Sequence, residues 1–65
     1  MTYIQSQAIW ELYRQGLQLQ ADEAERSWDQ GETFRLDNYL RVPRWVQALI
    51  DRCNGEIQAE NPRLG

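Results

Sequence analysis

Residues 2–31, TYIQSQAIWELYRQGLQLQADEAERSWDQG, decide the fold, and they read as one helix from Tyr3 to about Gln30. Thr2 followed three residues later by Gln5 has capping-box spacing, in which a hydroxyl and an amide each satisfy a backbone N–H at a helix start. The interior has no proline and few β-branched residues, and Gln, Glu, Ala, Leu and Arg dominate it, all good helix formers. Gly31 falls just past the end, where a left-handed residue is wanted. Gly16 in mid-helix costs about 1 kcal/mol relative to alanine. Close approach of another helix would compensate for it; a tolerated flaw is the rival reading.

At 100° per residue, Ile9, Leu12, Gly16 and Leu19 form one stripe of that helix. Tyr3, Trp10, Leu17, Ala21, Ala24 and Trp28 form a second, with Tyr13 between them. Arg14, Gln7, Gln18, Glu11, Asp22, Gln15 and Glu25 fill the opposite face. More than half of the circumference is apolar, which a single neighbouring helix does not cover.

Working outward, Phe34, Leu36, Tyr39 and Leu40 suit a short helix or turn, ended by Pro43 because proline pushes the preceding residue out of the helical region. Pro43 then opens a third helix at the first position, where its missing N–H costs nothing. Trp45, Val46, Leu49, Ile50 and Cys53 make its apolar face, and Gly55 after Asn54 stops it. The expected organisation is a single helical domain over residues 1–55 and a flexible tail over 56–65, in which Ile57 is the one large apolar residue before Pro62. The first helix would span about 40 Å and the third about 18 Å. The Trp10 and Trp28 stripe is therefore expected to stay partly uncovered in a monomer, and an apolar patch of that kind marks an interaction surface.

Composition narrows the possibilities further. Sixty-five residues form one small core, worth roughly 3–5 kcal/mol. One cysteine and no histidine leave no intrachain disulfide and no zinc site, so stability is expected to come from self-association or a partner. There is no apolar run of membrane-spanning length and no secretory pattern at the N-terminus, which reads as a cytoplasmic chain. Net charge is −3, unevenly spread: residues 1–33 carry six acids against Arg14 and Arg26, and residues 34–54 carry four arginines against Asp37 and Asp51. All seven basic residues are arginine, which suits planar, bidentate contacts.

Two readings of residues 40–55, LRVPRWVQALIDRCNG, compete. In the first, Leu36 to Arg41, a Val42-Pro43 turn and Arg44 to Arg52 form a helix-turn-helix, with Arg41 and Arg44 gripping phosphate or guanine. Against it, Asp37 and Arg41 fall where small residues belong, the core register is displaced onto Gln47, and an acidic chain opposes phosphate neutralisation. In the second, Trp45, Val46, Leu49 and Ile50 are core, which is the reading preferred here.

Asp22, Glu23, Glu25, Asp29 and Glu32 read as a solvated acidic face. Cys53 reads as a buried small hydrophobe. With no histidine, lysine or glycine-rich phosphate loop, no catalysis, cofactor or metal is expected. The expectation is an all-α protein, a long N-terminal helix with a short and a medium one in a helical hairpin or three-helix arrangement completed by pairing. It would act as a non-catalytic protein-interaction module: an adaptor, assembly factor, regulator or inhibitor of a larger protein, or a homodimer. Tyr3, Trp10, Tyr13, Leu17 and Trp28 form the expected binding surface. A DNA-binding regulator using residues 34–54 is the alternative, with nucleic acid otherwise not expected as a partner.

Overall fold

The computed structural model describes residues 1–60. Three α-helices pack into one core: α1 (Tyr3–Arg14), α2 (Gln18–Asp29) and α3 (Arg44–Glu60), with a 3₁₀ turn at Tyr39–Arg41 leading into α3. The all-α, three-helix architecture is the expected one. The single long N-terminal helix is not: it is two helices of twelve residues each, folded back on one another at Gly16.

α1 starts as expected. The Thr2 hydroxyl accepts from the Gln5 backbone N–H at 3.1 Å, and the Thr2 N–H donates to Gln5 Oε1 at 3.1 Å. It ends because Gly16 adopts φ +82°, a left-handed conformation that costs glycine nothing and other residues about 1–2 kcal/mol. The Leu17 N–H then donates to the Leu12 carbonyl at 2.9 Å and the Gly16 N–H to the Tyr13 carbonyl at 3.0 Å. This is a Schellman closure, which satisfies carbonyls the helix end would otherwise orphan, and the buried pair Leu12 and Leu17 is its hydrophobic contact.

Gly31 ends α2 in the same way, with φ +75°, a Glu32 N–H bond to the Ser27 carbonyl at 2.8 Å and a Gly31 N–H bond to the Trp28 carbonyl at 3.1 Å. No second helix approaches Gly16, since a Cβ placed there would meet nothing within 4 Å. The glycine is a hinge, not a site of close packing.

Gly16→Ala is accordingly expected to lower unfolding stability by about 1–2 kcal/mol through backbone strain alone, read as a shift of the urea midpoint. Alanine also favours helix continuation by about 1 kcal/mol, so at high concentration a species with α1 and α2 fused and exchanged between two chains is expected. Unchanged stability would show that residue 16 is not held left-handed.

The turn brings Ala8, Ile9 and Leu12 of α1 against Ala21, Ala24 and Trp28 of α2. Val46, Ile50, Cys53 and Ile57 of α3 close the core, joined by Phe34, Leu36 and Val42 from the connecting segment. Their 4-3-4 spacing along α3 is one helical face. Ile57 explains why Gly55 does not stop α3, contrary to the expected boundary: burying an isoleucine contributes about 1.5–3 kcal/mol, against about 1 kcal/mol lost to glycine in a helix. The expected tail therefore begins too early, since residues 56–60 are helical; residues 61–65 lie outside the described residues. Pro43 stands immediately before α3, its carbonyl accepting from the Val46 N–H at 3.0 Å. No described helix is long and apolar enough to cross a membrane.

Asn54 ties the layers together. Its Oδ1 accepts from the Trp28 indole N–H and from the Phe34 backbone N–H, both at 2.9 Å, while its Nδ2 donates to the Phe34 carbonyl at 2.7 Å. The Trp28 and Phe34 rings meet edge to face with centroids 6.0 Å apart. One side chain of α3 thus fastens the connecting segment and α2 at once.

Candidate interaction surface

Folding α2 back onto α1 redistributes the expected binding residues. Trp28 is 3% exposed and Leu17 is equally buried, so neither is available to a partner. Both belong to the core, because the hinge at Gly16 rotates the α2 face inward. Tyr3, Trp10 and Tyr13 remain outside, Tyr3 at 82% and Trp10 at 64% exposure. Together with Ser6 they recur at i, i+3, i+7 and i+10, within about 80° of one another on the helix. This stripe lies beside the face that buries Ala8, Ile9 and Leu12, with Tyr13 about 40° from Ile9.

Tyr13 connects the stripe to α2, its hydroxyl donating to Asp22 Oδ1. That hydrogen bond first, then burial and the charges of Asp22 and Glu25, hold the Tyr13 phenol above its ordinary pKa. Asp22, Glu25 and Asp29 share one exposed face of α2 at i, i+3 and i+7. The Tyr13 end of the aromatic stripe is thus edged by the carboxylates of Asp22 and Glu25.

A second exposed cluster occupies the corner before and at the start of α3. Tyr39 is anchored by its hydroxyl, which donates to Asp51 Oδ1 at 3.1 Å, and Val42 is buried. The Gln47 side-chain amide donates to the carbonyls of both residues, fixing the turn. The residues between and beyond these anchors point outward: Leu40 is 94% exposed, Trp45 51%, and Arg41 and Arg44 are exposed with them. Trp45 is thus not core, contrary to expectation; Val46 beside it takes the inward position.

The helix-turn-helix reading loses its first helix, since residues 32–38 contain no helix and residues 39–41 form a single 3₁₀ turn. Arg41 and Arg44 are free of such a scaffold. An open groove beside Arg41 is lined by Glu23 and Asp37 as well as Arg35, so it favours neither sign of ligand.

Among the described residues no group of three or more His, Cys, Asp or Glu side chains could hold a metal ion. The buried Glu11 carboxylate accepts from Arg14 at 3.4 Å on the same helix. Burial, then the Glu56 charge, push the Cys53 thiol up to about 11, the reverse of what a nucleophilic cysteine requires. Two results follow for Cys53. Alkylation of the folded protein near pH 8 should be slower than that of the unfolded chain by two orders of magnitude or more. The folded state also holds this proton more tightly than the unfolded state, so the associated stability is complete below about pH 9 and is lost as pH rises through about 11. Equal alkylation rates with and without denaturant would contradict the burial.

Asn54 was legible only as half of an Asn-Gly stop. The available signal was that a buried tryptophan indole N–H needs an acceptor, and Asn54 stands beside the apolar face of α3. Comparison with protein-family models, curated proteins and solved structures finds no match.

Proposed function

We propose that the protein is a non-catalytic helical interaction module whose outer α1 face, Tyr3, Trp10 and Tyr13, docks onto another protein chain. One observation carries this reading: the apolar arc of α1 is wider than the core covers, which buries Ala8, Ile9 and Leu12 and leaves Tyr3, Trp10 and Tyr13 outside. Tryptophan and tyrosine supply most of the affinity at protein interfaces, because they bury large area at small cost in rotamer entropy. Leaving Trp10 in water gives the fold nothing. The small Ser6 at the centre of the stripe leaves room for a partner to approach between Tyr3 and Trp10.

The test is site-directed photocrosslinking in the native cell. A photoreactive phenylalanine at Ser6 should give a discrete protein adduct that Trp10→Ala diminishes at least tenfold, and the same group at the exposed Gln58 of α3 should give none. No adduct at position 6, or equal adducts at both positions, would contradict the proposal.

A further inference from the structure

We infer that the occupant of the aromatic and acidic hairpin face is a second copy of this chain, bound through its Leu40, Arg41, Arg44 and Trp45 corner, so that copies associate head to tail. The inference rests on the interaction reading above and adds the identity of the partner.

The two exposed clusters are complementary in sign and alike in character. The hairpin offers Tyr3, Trp10 and Tyr13 on α1 and Asp22, Glu25 and Asp29 on α2; the corner offers Leu40 and Trp45 with Arg41 and Arg44 between them in the chain. Arginine serves both halves of the hairpin face, because its planar guanidinium stacks on aromatic rings and pairs bidentately with carboxylates. Arg44 has no counter-charge on its own helix turn: no acidic residue stands in the first turn of α3, where the helix dipole already disfavours an arginine. Carboxylates of a second copy would relieve that.

Symmetric pairing is disfavoured by the same charges. A two-fold contact places the same patch on both sides. Hairpin face on hairpin face would bring two sets of Asp22, Glu25 and Asp29 together, and corner on corner two sets of Arg41 and Arg44. Opposite charges meet when the hairpin face of one copy lies on the corner of the next, a heterologous contact. Such a contact leaves one face free at each end, so assembly continues beyond a dimer, in a ring or an open chain. A fully buried aromatic side chain contributes about 150–250 Å², so the joint lies at the small end of specific interfaces. Association is therefore weak, depends on concentration and is sensitive to salt.

Sedimentation of the full chain over a hundredfold concentration range tests this. The weight-average mass should rise past that of a dimer, with no plateau at the dimer, and fall back as salt is added. Two variants then separate the faces. Tyr3→Ala with Trp10→Ala disables the hairpin face, and Arg41→Glu with Arg44→Glu disables the corner; all four residues are exposed. Each variant alone should be monomeric with wild-type helicity. Mixed one to one they should form a heterodimer and nothing larger, because one intact face of each kind remains.

A wild-type mass that plateaus at a dimer, or variants that do not rescue each other, would overturn head-to-tail pairing. A wild-type monomer at every concentration would also overturn it. If the position 6 crosslink then traps a different protein, the interaction reading stands and only the self-partner fails. If no adduct forms, both fail.

Discussion

Trp28→Ala is expected to leave little folded protein. The side chain is 3% exposed, its ring packs edge to face on Phe34, and its indole N–H donates to Asn54. Removing a buried tryptophan costs about 3–5 kcal/mol from the cavity and the lost transfer energy, which matches roughly the whole stability of a core this size. Trp10→Ala and Trp45→Ala, both in exposed positions, should stay within about 1 kcal/mol of wild type. Helicity by circular dichroism, followed through a urea titration, checks all three. A stable Trp28→Ala beside an unfolded Trp45→Ala would reverse the assignment of inside and outside.

The second large effect is expected at Asn54. Asn54→Leu keeps the size of the side chain and removes three hydrogen bonds, leaving the Trp28 indole N–H and the Phe34 N–H and carbonyl to find other partners. A buried polar group left unsatisfied costs about 1–3 kcal/mol, and the combined loss should reach about 2–4 kcal/mol with partial access of water. Asn54→Asp separates the contributions. It retains the acceptor used by Trp28 and Phe34 and loses the donor to the Phe34 carbonyl, so it should be intermediate. Its stability relative to wild type should improve as pH falls and the new carboxyl gains a proton to donate. If Asn54→Leu were as stable as wild type in the urea titration, the fastening of the connecting segment would not be held by this side chain.

Local chemistry was legible in the sequence. Thr2 and Gln5 mark the start of α1, Gly31 marks the end of α2, and Val46, Ile50 and Cys53 mark the inner face of α3, each through a signal within a few residues. What was not legible depends on partners distant in the chain. Gly16 and Gly55 are the same residue in similar polar surroundings, yet one ends a helix and the other does not. At Gly16, ending the helix lets Ala21, Ala24 and Trp28 reach Ile9 and Leu12. At Gly55, continuing lets Ile57 reach the core.

The inward position of Trp28 follows from the hinge at Gly16. Trp10 and Trp28 share a stripe only if one unbroken helix carries both. Once the chain turns at Gly16 the phase is reset, and Trp28 faces inward while Trp10 faces out. Leu17 follows Trp28, because the closure of α1 draws it against Leu12. Trp45 lies about 100° around the helix from Val46, at the margin of the apolar face, where periodicity alone does not decide between core and surface. The exposed α1 stripe is partly legible: the apolar excess of the sequence points to Tyr3, Trp10 and Tyr13, and the fold separates them from Leu17 and Trp28, which the core needs.

The partition of aromatic side chains underlies both the core and the interaction surface, and hydrogen exchange of the three indole N–H groups by proton NMR tests it most directly. After transfer to heavy water one indole signal should persist as long as the slowest backbone amides. That signal belongs to Trp28, whose indole N–H is buried and bonded to Asn54 Oδ1 at 2.9 Å. The signals of Trp10 and Trp45 should vanish within the dead time. A protected Trp45 indole with a rapidly exchanging Trp28 would contradict the fold, and with it the surface assigned to α1.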